Sequence, residues 1–205
     1  GLILVGLNLL VWQAFGRAPT AGILTVAFLD VGQGDAIFIA TPDGKQIMID
    51  GGPGRSALEG LGKLMPFNDR SIDLLIVTNP DQDHLGGLVE ILNNYEVGMV
   101  IEPGTKTNTK VYEQFQVREN EVPILLTARG GMTLSLANNV YLQIIAPTIN
   151  ASNLKTNDGS VVARLVYGQT AFLLTGDAPE KVERAMLAVA PQKLSAQVFK
   201  VGHHG

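Results

Sequence analysis

Residues 72–87, Ile72-Asp-Leu-Leu-Ile-Val-Thr-Asn-Pro-Asp-Gln-Asp-His-Leu-Gly-Gly87, combine an apolar run, a proline and a cluster of polar side chains. The run Leu74–Val77 predicts a short strand that is buried on both faces. Pro80 then ends regular pairing, because proline has no N–H to donate. The glycine pair predicts a tight turn, and the residues from Leu85 to Tyr95 predict a helix. This segment therefore predicts a rigid strand-to-helix turn.

Metal-binding side chains are concentrated in that turn, at Asn79, Asp81, Asp83 and His84. Oxygen donors with one imidazole suit Zn, Mn or Fe better than an ion that prefers thiolates. An alternative is an Asp-rich turn that caps the helix, because Asp and Asn favour caps and turns. The segment alone leaves both interpretations open.

The composition is that of one sizeable domain with a mild negative charge. The chain has 205 residues, of which 46% are hydrophobic and 17% charged, and its net charge is −4. This balance gives no support to a basic domain that coats nucleic acid. Cysteine is absent, so disulfides and Cys-based zinc sites are excluded. Metal ions would offset part of the charge at a carboxylate site.

The first residues predict a membrane segment. Residues 2–15 are uncharged and mostly apolar, but they are fewer than the about 20 residues that span a bilayer. We expect residues 1–16 to be the tail of a transmembrane helix, with a signal-peptide core or a buried helix as alternatives. Residues 17–22 then form a linker. Residues 23–205 form the domain, which we expect to be a fragment truncated at its C-terminus.

Short strands alternate with helices along the rest of the chain, and this pattern predicts an α/β layered fold with a mixed sheet. The predicted strands are Ile23–Asp30, Asp35–Ala40, Gln46–Ile49, Leu74–Val77, Val97–Ile101, Ile124–Leu126, Thr133–Leu136, Val140–Ala146, Ser160–Tyr167, Thr170–Thr175 and Gln197–Val201. The predicted helices are Arg55–Met65, Leu85–Tyr95, Lys110–Arg118 and Pro179–Ala190.

Polar side chains follow four of the predicted strands. Asp50, residues 79–84, Asp177 and the pair His203-His204 each come just after a strand, and all histidines of the chain lie in these segments. Carboxyl ends of strands in open α/β sheets meet at the rim where ligands bind. The order of these groups therefore favours a metal site over isolated caps.

Each group also has a simpler interpretation. Asp50 could end a strand in the Asp50-Gly-Gly52 turn. Asp177 could cap the helix that begins near Pro179. The histidine pair could be a surface dipeptide or the start of a purification tag. The four groups together are hard to explain in this way.

In their order, these motifs resemble those of the metallo-β-lactamase superfamily. The matching motifs are Asp50-Gly-Gly52, residues 79–84, Gly176-Asp177 and His203-His204. Three motifs point to a narrower likeness: Leu29-Asp-Val-Gly-Gln-Gly-Asp-Ala36, Gly176-Asp177 and Lys200-Val-Gly-His-His-Gly205. They resemble motifs of the C-terminal hydrolase-like domain of ComEC proteins, the membrane channels for DNA uptake in natural competence. This likeness covers about residues 23 to 205 and implies a metallo-β-lactamase-like αββα sandwich.

The resemblance also implies roles for individual residues. It implies metal ligands at Asn79, Asp81, Asp83, His84, Asp177, His203 and His204. Asp83, His84 and His203 would hold one metal, and Asp177 would bridge to the other. Asp50 would orient the loop or a ligand histidine. Asn157 and Ser160 would face substrate, although a loop-to-strand turn explains them equally well. Asp50, Asp83, Asn157 and Ser160 are the catalytic candidates.

One position departs from the family pattern, which usually has His where this chain has Asn79. Asn can bind a metal only weakly, through its neutral carbonyl oxygen. We expect two divalent ions, Mn or Zn, or only one of them. The site that depends on Asn79 would prefer harder ions such as Mn or Mg.

The expected function is a metal-dependent hydrolase, a DNA nuclease domain of a ComEC-like channel for natural transformation. An alternative is a weak or inactive domain that guides DNA in the same channel. Another is a different hydrolase of the superfamily that acts on a small ester, thioester or lactam. The expected partners are DNA, the membrane through the N-terminal segment, and other competence proteins. The expected location is the bacterial cell membrane, with this domain on the extracytoplasmic side.

Overall fold

The computed structural model describes residues 22–202. The predicted membrane segment, residues 1–16, lies outside this range, as do residues 17–21 of the linker, His203 and His204. Within residues 22–202, none of the helices combines the length and the apolar composition that a membrane span requires.

The first sheet has six strands in the spatial order β1-β2-β3-β5-β7-β8. Its strands are β1 Thr25–Phe28, β2 Ile37–Ala40, β3 Gln46–Ile49, β5 Leu74–Ile76, β7 Met99–Glu102 and β8 Ile124–Thr127. The first three pair antiparallel and the others pair parallel. The sequence did not predict two short strands, β4 Ser71–Ile72 and β6 Glu96–Val97, which pair with each other.

The second sheet has five strands in the order β13-β12-β11-β10-β9. Its strands are β9 Thr133–Ala137, β10 Val140–Ala146, β11 Val162–Tyr167, β12 Thr170–Leu174 and β13 Val198–Lys200. Four of them form an antiparallel meander, and β13 lies parallel to β12. The carboxyl ends of β12 and β13 therefore lie at the same edge.

Helices cover both sheets on the outside. The α-helices are α1 Ser56–Leu64, α2 Gln82–Asn94, α3 Lys110–Glu119 and α4 Glu180–Val189, and short 3₁₀ helices occupy Asn157–Gly159 and Pro191–Lys193. Residues of α1, α2 and α3 pack with one face of the first sheet. Met186 of α4 packs with residues of the second sheet.

Apolar side chains at alternate positions of the strands form two core layers, one between the first sheet and its helices and one between the two sheets. In β3, Met48 packs towards the helices, while Ile47 and Ile49 face the second sheet. A strand with both faces covered must be apolar throughout, which explains the continuous runs seen in the sequence. Leu142 and Leu165 of the second sheet belong with Ile49 to the same central apolar cluster. The predicted αββα sandwich is confirmed.

One boundary differs from the prediction in a way that matters for the site. Helix α2 begins at Gln82, with Asp81 in an extended conformation at its N-cap, whereas the sequence predicted a start at Leu85. The apolar periodicity begins only at Leu85, and the preceding turn of helix is polar. The predicted tight turn at Gly86-Gly87 is wrong, because both residues are helical. Asp83 and His84 thus project from the first turn of a helix.

Candidate metal centre

Asp50 anchors the site directly after β3. Its backbone is left-handed, with a φ of 56°, a conformation that Asp tolerates better than most residues. The side chain is fully buried. One carboxylate oxygen accepts a hydrogen bond from the Thr78 backbone N–H at 2.7 Å, and the other accepts from the Thr78 hydroxyl and from His84 Nδ1. Asp50 therefore links the ends of β3 and β5 to helix α2.

Glycines allow helix α2 to lie directly on the Asp50 loop. A Cβ added at Gly87 would lie 1.9 Å from the carbonyl oxygen of Gly51, and one added at Gly51 would lie 2.5 Å from the backbone nitrogen of Leu88. Two backbone hydrogen bonds close this contact, from Gly51 N to the His84 carbonyl at 2.7 Å and from Gly87 N to the Gly52 carbonyl at 2.8 Å. The main chain itself thus places His84 beside Asp50.

His84 connects two carboxylates across the site. It is fully buried. Its Nδ1 lies 2.8 Å from Asp50 Oδ2, and its Nε2 lies 3.0 Å from Asp177 Oδ2. Burial lowers the pKa of His84, but the charges of Asp50 and Asp177 and their hydrogen bonds outweigh burial and raise it to about 11. The surroundings of His84 therefore stabilise positive charge at this point.

A buried ion pair lies next to His84. Lys200 Nζ, from β13, contacts Asp35 Oδ2 and donates to the Gly176 carbonyl at 3.1 Å. The exposed fractions of the Lys200 and Asp35 side chains are only 11% and 9%. Burial raises the pKa of Asp35, although the hydrogen bond from Lys200 opposes this shift. This pair joins the loop before β2 to the second sheet at the site.

A second set of side chains joins the turn after β5 to the loop before β11. Asn79 is fully buried, and its amide nitrogen donates to Asn157 Oδ1 at 2.6 Å. Asp81 Oδ2 accepts a hydrogen bond from the Thr156 hydroxyl at 2.9 Å. The side of the site that carries Asn79 and Asp81 is therefore connected by direct hydrogen bonds between protein groups.

Comparison with known proteins identifies the fold family. The family model of the metallo-beta-lactamase superfamily matches residues 29–137. The chain belongs to this superfamily. Members of the superfamily are metal-dependent hydrolases, and the geometry around His84 is compatible with such a site.

The curated relatives of this superfamily member include competence proteins. The chain is 29% identical to ComE operon protein 3 of Bacillus subtilis over 198 residues, which cover 88% of this chain and 25% of that protein. It is 30% identical to Recombination protein 2 of Haemophilus influenzae, over all of this chain and 24% of that protein. ComA of Neisseria gonorrhoeae is 24% identical over 99% of this chain and 29% of its own length. These matches confirm the resemblance to the ComEC family. The chain spans about a quarter of the length of the first two of these relatives.

Solved structures support the fold alone. Rm3 metallo-beta-lactamase superposes with a TM-score of 0.57 at 15% identity, and the match covers 92% of this chain and 80% of that one. CmlA, a diiron beta-hydroxylase from Streptomyces venezuelae, has a TM-score of 0.51 at 16% identity, over 80% of this chain and 32% of that one.

Several predicted site residues of this metallo-beta-lactamase fold come together. His84 contacts both Asp50 and Asp177, and Asp83 is half-buried on the first turn of α2. Asn157 reaches Asn79. Ser160 is fully buried, and its hydroxyl has no hydrogen-bond partner among residues 22–202. The substrate-facing roles of Asn157 and Ser160 stay predictions, as do the ligand roles of His203 and His204, which lie outside the described residues.

Two groupings of side chains could hold a metal here. Oxygen and nitrogen atoms of Asp35, Asp50 and His84 lie within 4.8 Å of one another. Both oxygens of Asp50 already accept hydrogen bonds, and Asp35 Oδ2 is already in contact with Lys200 Nζ. The Nε2 atom of His84 fits a metal better than Nδ1 does. Asp50 accepts the Nδ1 proton in a hydrogen bond, and this orientation of the ring turns Nε2 towards Asp177. Among residues 22–202, a cleft of about 410 Å³ opens beside Asp177 and Asn157.

Sequence reasoning assigned no role to Asp35, Lys200, Thr78 or Thr156. Lys200 lies within the apolar run 198–201, and Asp35 directly precedes the apolar run 36–40. A charge in or beside such a run needs a partner when it is buried. That signal could have identified them as a pair. Thr78 and Thr156 carry no comparable signal, because hydroxyl residues beside turns are common. The alternative role of Asp177 as a helix cap is wrong, because α4 has Pro179 at its N-cap and Asp177 contacts His84.

Proposed function

We propose that this domain is a metal-dependent DNA nuclease of a ComEC-like channel that takes up DNA in natural transformation. The observation that carries the proposal is His84, buried between Asp50 and Asp177, in a chain whose relatives include competence proteins. The site geometry supports metal-dependent hydrolysis, and the relatives suggest the substrate. We also place the domain at the bacterial cell membrane, on the extracytoplasmic side.

The side chains have distinct tasks in this proposal. Asp50 holds the Nδ1 proton of His84, so that Nε2 can offer a lone pair beside the Asp177 carboxylate. Asp83, on the same helical turn as His84, adds a further carboxylate, and His203 and His204 follow β13 in the sequence. A divalent ion bound by these residues would polarise a phosphodiester and lower the pKa of a bound water.

The ordered frame around the ligands supports this assignment. Asp50 receives three hydrogen bonds, two from Thr78 in the turn after β5 and one from His84 on α2. The Lys200 contact with Asp35 fixes β13 against the loop before β2. The positions of Asp50 and His84 are thus determined before any substrate arrives, which is the condition for stabilising charge that develops during a reaction.

The test is metal content measured in parallel with DNA cleavage. The full chain, purified in mild detergent because residues 1–16 are apolar, is loaded with Mn, Zn or Mg and incubated with labelled DNA. We expect metal-dependent cleavage that is lost in Asp83→Ala/His84→Ala. Glu113→Gln, an exposed position on α3, is the matched control and should leave cleavage unchanged. Bound metal without cleavage by any ion would refute the nuclease proposal.

A second candidate function is a domain that binds and guides DNA without cutting it. Asn79 favours this candidate, because its side chain is already hydrogen-bonded to Asn157 where the family usually has a histidine. The same experiment separates the two functions when a DNA-binding measurement is added. Retained binding in the absence of cleavage would support the guide.

A further inference from the structure

The amide of Asn79 has a defined orientation. Its Oδ1 accepts a hydrogen bond from the backbone N–H of Asp81 at 3.0 Å, and its Nδ2 donates to Asn157 Oδ1 at 2.6 Å. A backbone N–H can only donate, so the oxygen of Asn79 must face Asp81 and the nitrogen must face Asn157. The group that Asn79 presents to the loop before β11 is therefore an N–H donor.

The Asp81 side chain adds a second link to the same loop. Its Oδ2 accepts from the Thr156 hydroxyl at 2.9 Å. Together, the Asn79–Asn157 and Asp81–Thr156 hydrogen bonds form what we call the latch. The latch joins the turn after β5 to the 3₁₀ helix at Asn157–Gly159. The Val161 backbone N–H donates to the Thr78 carbonyl at 2.9 Å and continues the same connection.

The latch is poorly suited to hold a metal ion. An amide N–H has no lone pair for a cation, and the Asn79 oxygen is neutral and already accepts one hydrogen bond. One oxygen of Asp81 is engaged as well. At His84, by contrast, a histidine nitrogen and the Asp177 carboxylate oxygen lie 3.0 Å apart, and both atoms are of the kind that can bind a cation. Asn79 and Asp81 therefore serve as hydrogen-bonding groups, whereas His84 and Asp177 offer atoms that can bind a metal.

We propose that this chain holds a single divalent ion, on the side of His84 and Asp177, and that the latch takes the place of a second ion. In this arrangement, the hydrogen bonds of Asn79 and Asp81 hold the loop before β11 against the turn after β5. Asn79 then acts as a positioning residue for the Asn157 loop. The inference rests on the metal dependence in the proposed function and adds its stoichiometry.

Metal counting tests the inference without reference to activity. The full chain is stripped with a chelator, dialysed against Mn²⁺ or Zn²⁺, and analysed for metal per chain. We expect about one ion per wild-type chain, at the His84–Asp177 donor pair described above. Asn79→His supplies an imidazole nitrogen in place of an amide, and we expect it to raise the content to about two.

Two further variants keep the test independent of any one substitution. Asn157→Ala removes one half of the latch and should raise hydrogen exchange of residues 156–160 about tenfold, with the metal content still about one. Asn120→His introduces the same imidazole at an exposed site at the end of α3. This matched control should bind no additional metal.

The outcomes separate this inference from the proposed function. Two tightly bound ions in the wild type would overturn the inference and leave metal-dependent hydrolysis standing. An absence of bound metal in every variant would overturn both. If Asn79→His gains no ion, or Asn157→Ala leaves exchange of residues 156–160 unchanged, the latch does not have the assigned role.

Discussion

Replacing Lys200 with Met should destabilise the protein by about 3 kcal/mol. The Lys200 ammonium contacts the Asp35 carboxylate and donates to the Gly176 carbonyl. Methionine has a similar length and no charge, so it fills the space while it removes the ion pair with Asp35 and the hydrogen bond to the Gly176 carbonyl. The substitution leaves the Asp35 carboxylate buried without its cation.

The magnitude follows from burial and from the neighbouring charges. The exposed fractions of the two side chains are 11% and 9%, so water can solvate an isolated Asp35 only poorly. Breaking a buried pair at one partner costs about 3–5 kcal/mol, and we take the lower end because Asp35 can regain some solvation. Asp35→Asn/Lys200→Met removes both charges and should cost about 1–2 kcal/mol, because no unpaired charge is left behind.

Urea unfolding followed by circular dichroism at pH 7.5 measures these differences as shifts of the midpoint. The coupling free energy from the double-mutant cycle should exceed about 1 kcal/mol. Lys181→Met is the matched control, because Lys181 pairs with Asp158 at 2.5 Å but its side chain is 65% exposed. That variant should cost less than about 1 kcal/mol. Equal costs for Lys200→Met and Lys181→Met, or additive effects in the cycle, would refute the reasoning.

Three other predictions concern different parts of the fold. Burial first, and then a neighbouring carboxylate, raise the pKa of Glu119 from 4.5 to about 7. Between pH 4.5 and about 7, Glu119 ionises in the unfolded chain but stays protonated in the folded protein. The free energy of unfolding of the wild type should therefore fall by about 2 kcal/mol as the pH rises from 5 to 8. Glu119→Gln should reduce that fall, measured by urea unfolding. Gly87→Ala places a Cβ 1.9 Å from a backbone oxygen and should destabilise by about 3 kcal/mol in the same assay. Asp50→Asn weakens the hydrogen bond to His84 and should lower metal affinity about 10–100-fold in calorimetric titration.

Controls and contrary outcomes differ among these predictions. A wild-type pH profile that Glu119→Gln leaves unchanged would assign the loss to another group. Gly62→Ala, at an exposed helical position with open space around the new Cβ, should stabilise by about 0.5–1 kcal/mol. Similar effects at Gly62 and Gly87 would contradict the close approach of α2. Unchanged metal affinity in Asp50→Asn would show that the hydrogen bond between His84 Nδ1 and Asp50 does not affect metal binding at His84 Nε2.

The sequence predicted the layers of the fold because apolar periodicity and turn residues act locally. The bounds of β3 and β10 were predicted as observed, and that of α3 differed by one residue. Helix α2 was predicted to begin too late, because its first turn carries polar residues that resemble a loop. The pairing of β4 with β6 could not be predicted, since two-residue strands have no periodicity.

The site was predictable to the extent that motifs mark strand ends. Asp50, His84 and Asp177 were expected together, and the structure places them in contact. The Lys200–Asp35 pair joins residues 165 positions apart, and the Asn79–Asn157 bond joins residues 78 positions apart. Such pairs depend on how the two sheets face each other, which no local pattern in a single sequence reveals.

The glycine contacts between α2 and the Asp50 loop also determine how much order the chain itself provides around His84. Main-chain atoms already touch there, with the Gly51 N–H donating to the His84 carbonyl at 2.7 Å. The entropy of ordering Asp50 and His84 is therefore lost when the chain folds, and in the proposed metal site an ion would impose little further order on these two residues. Binding and release of that ion would then leave the surrounding fold intact.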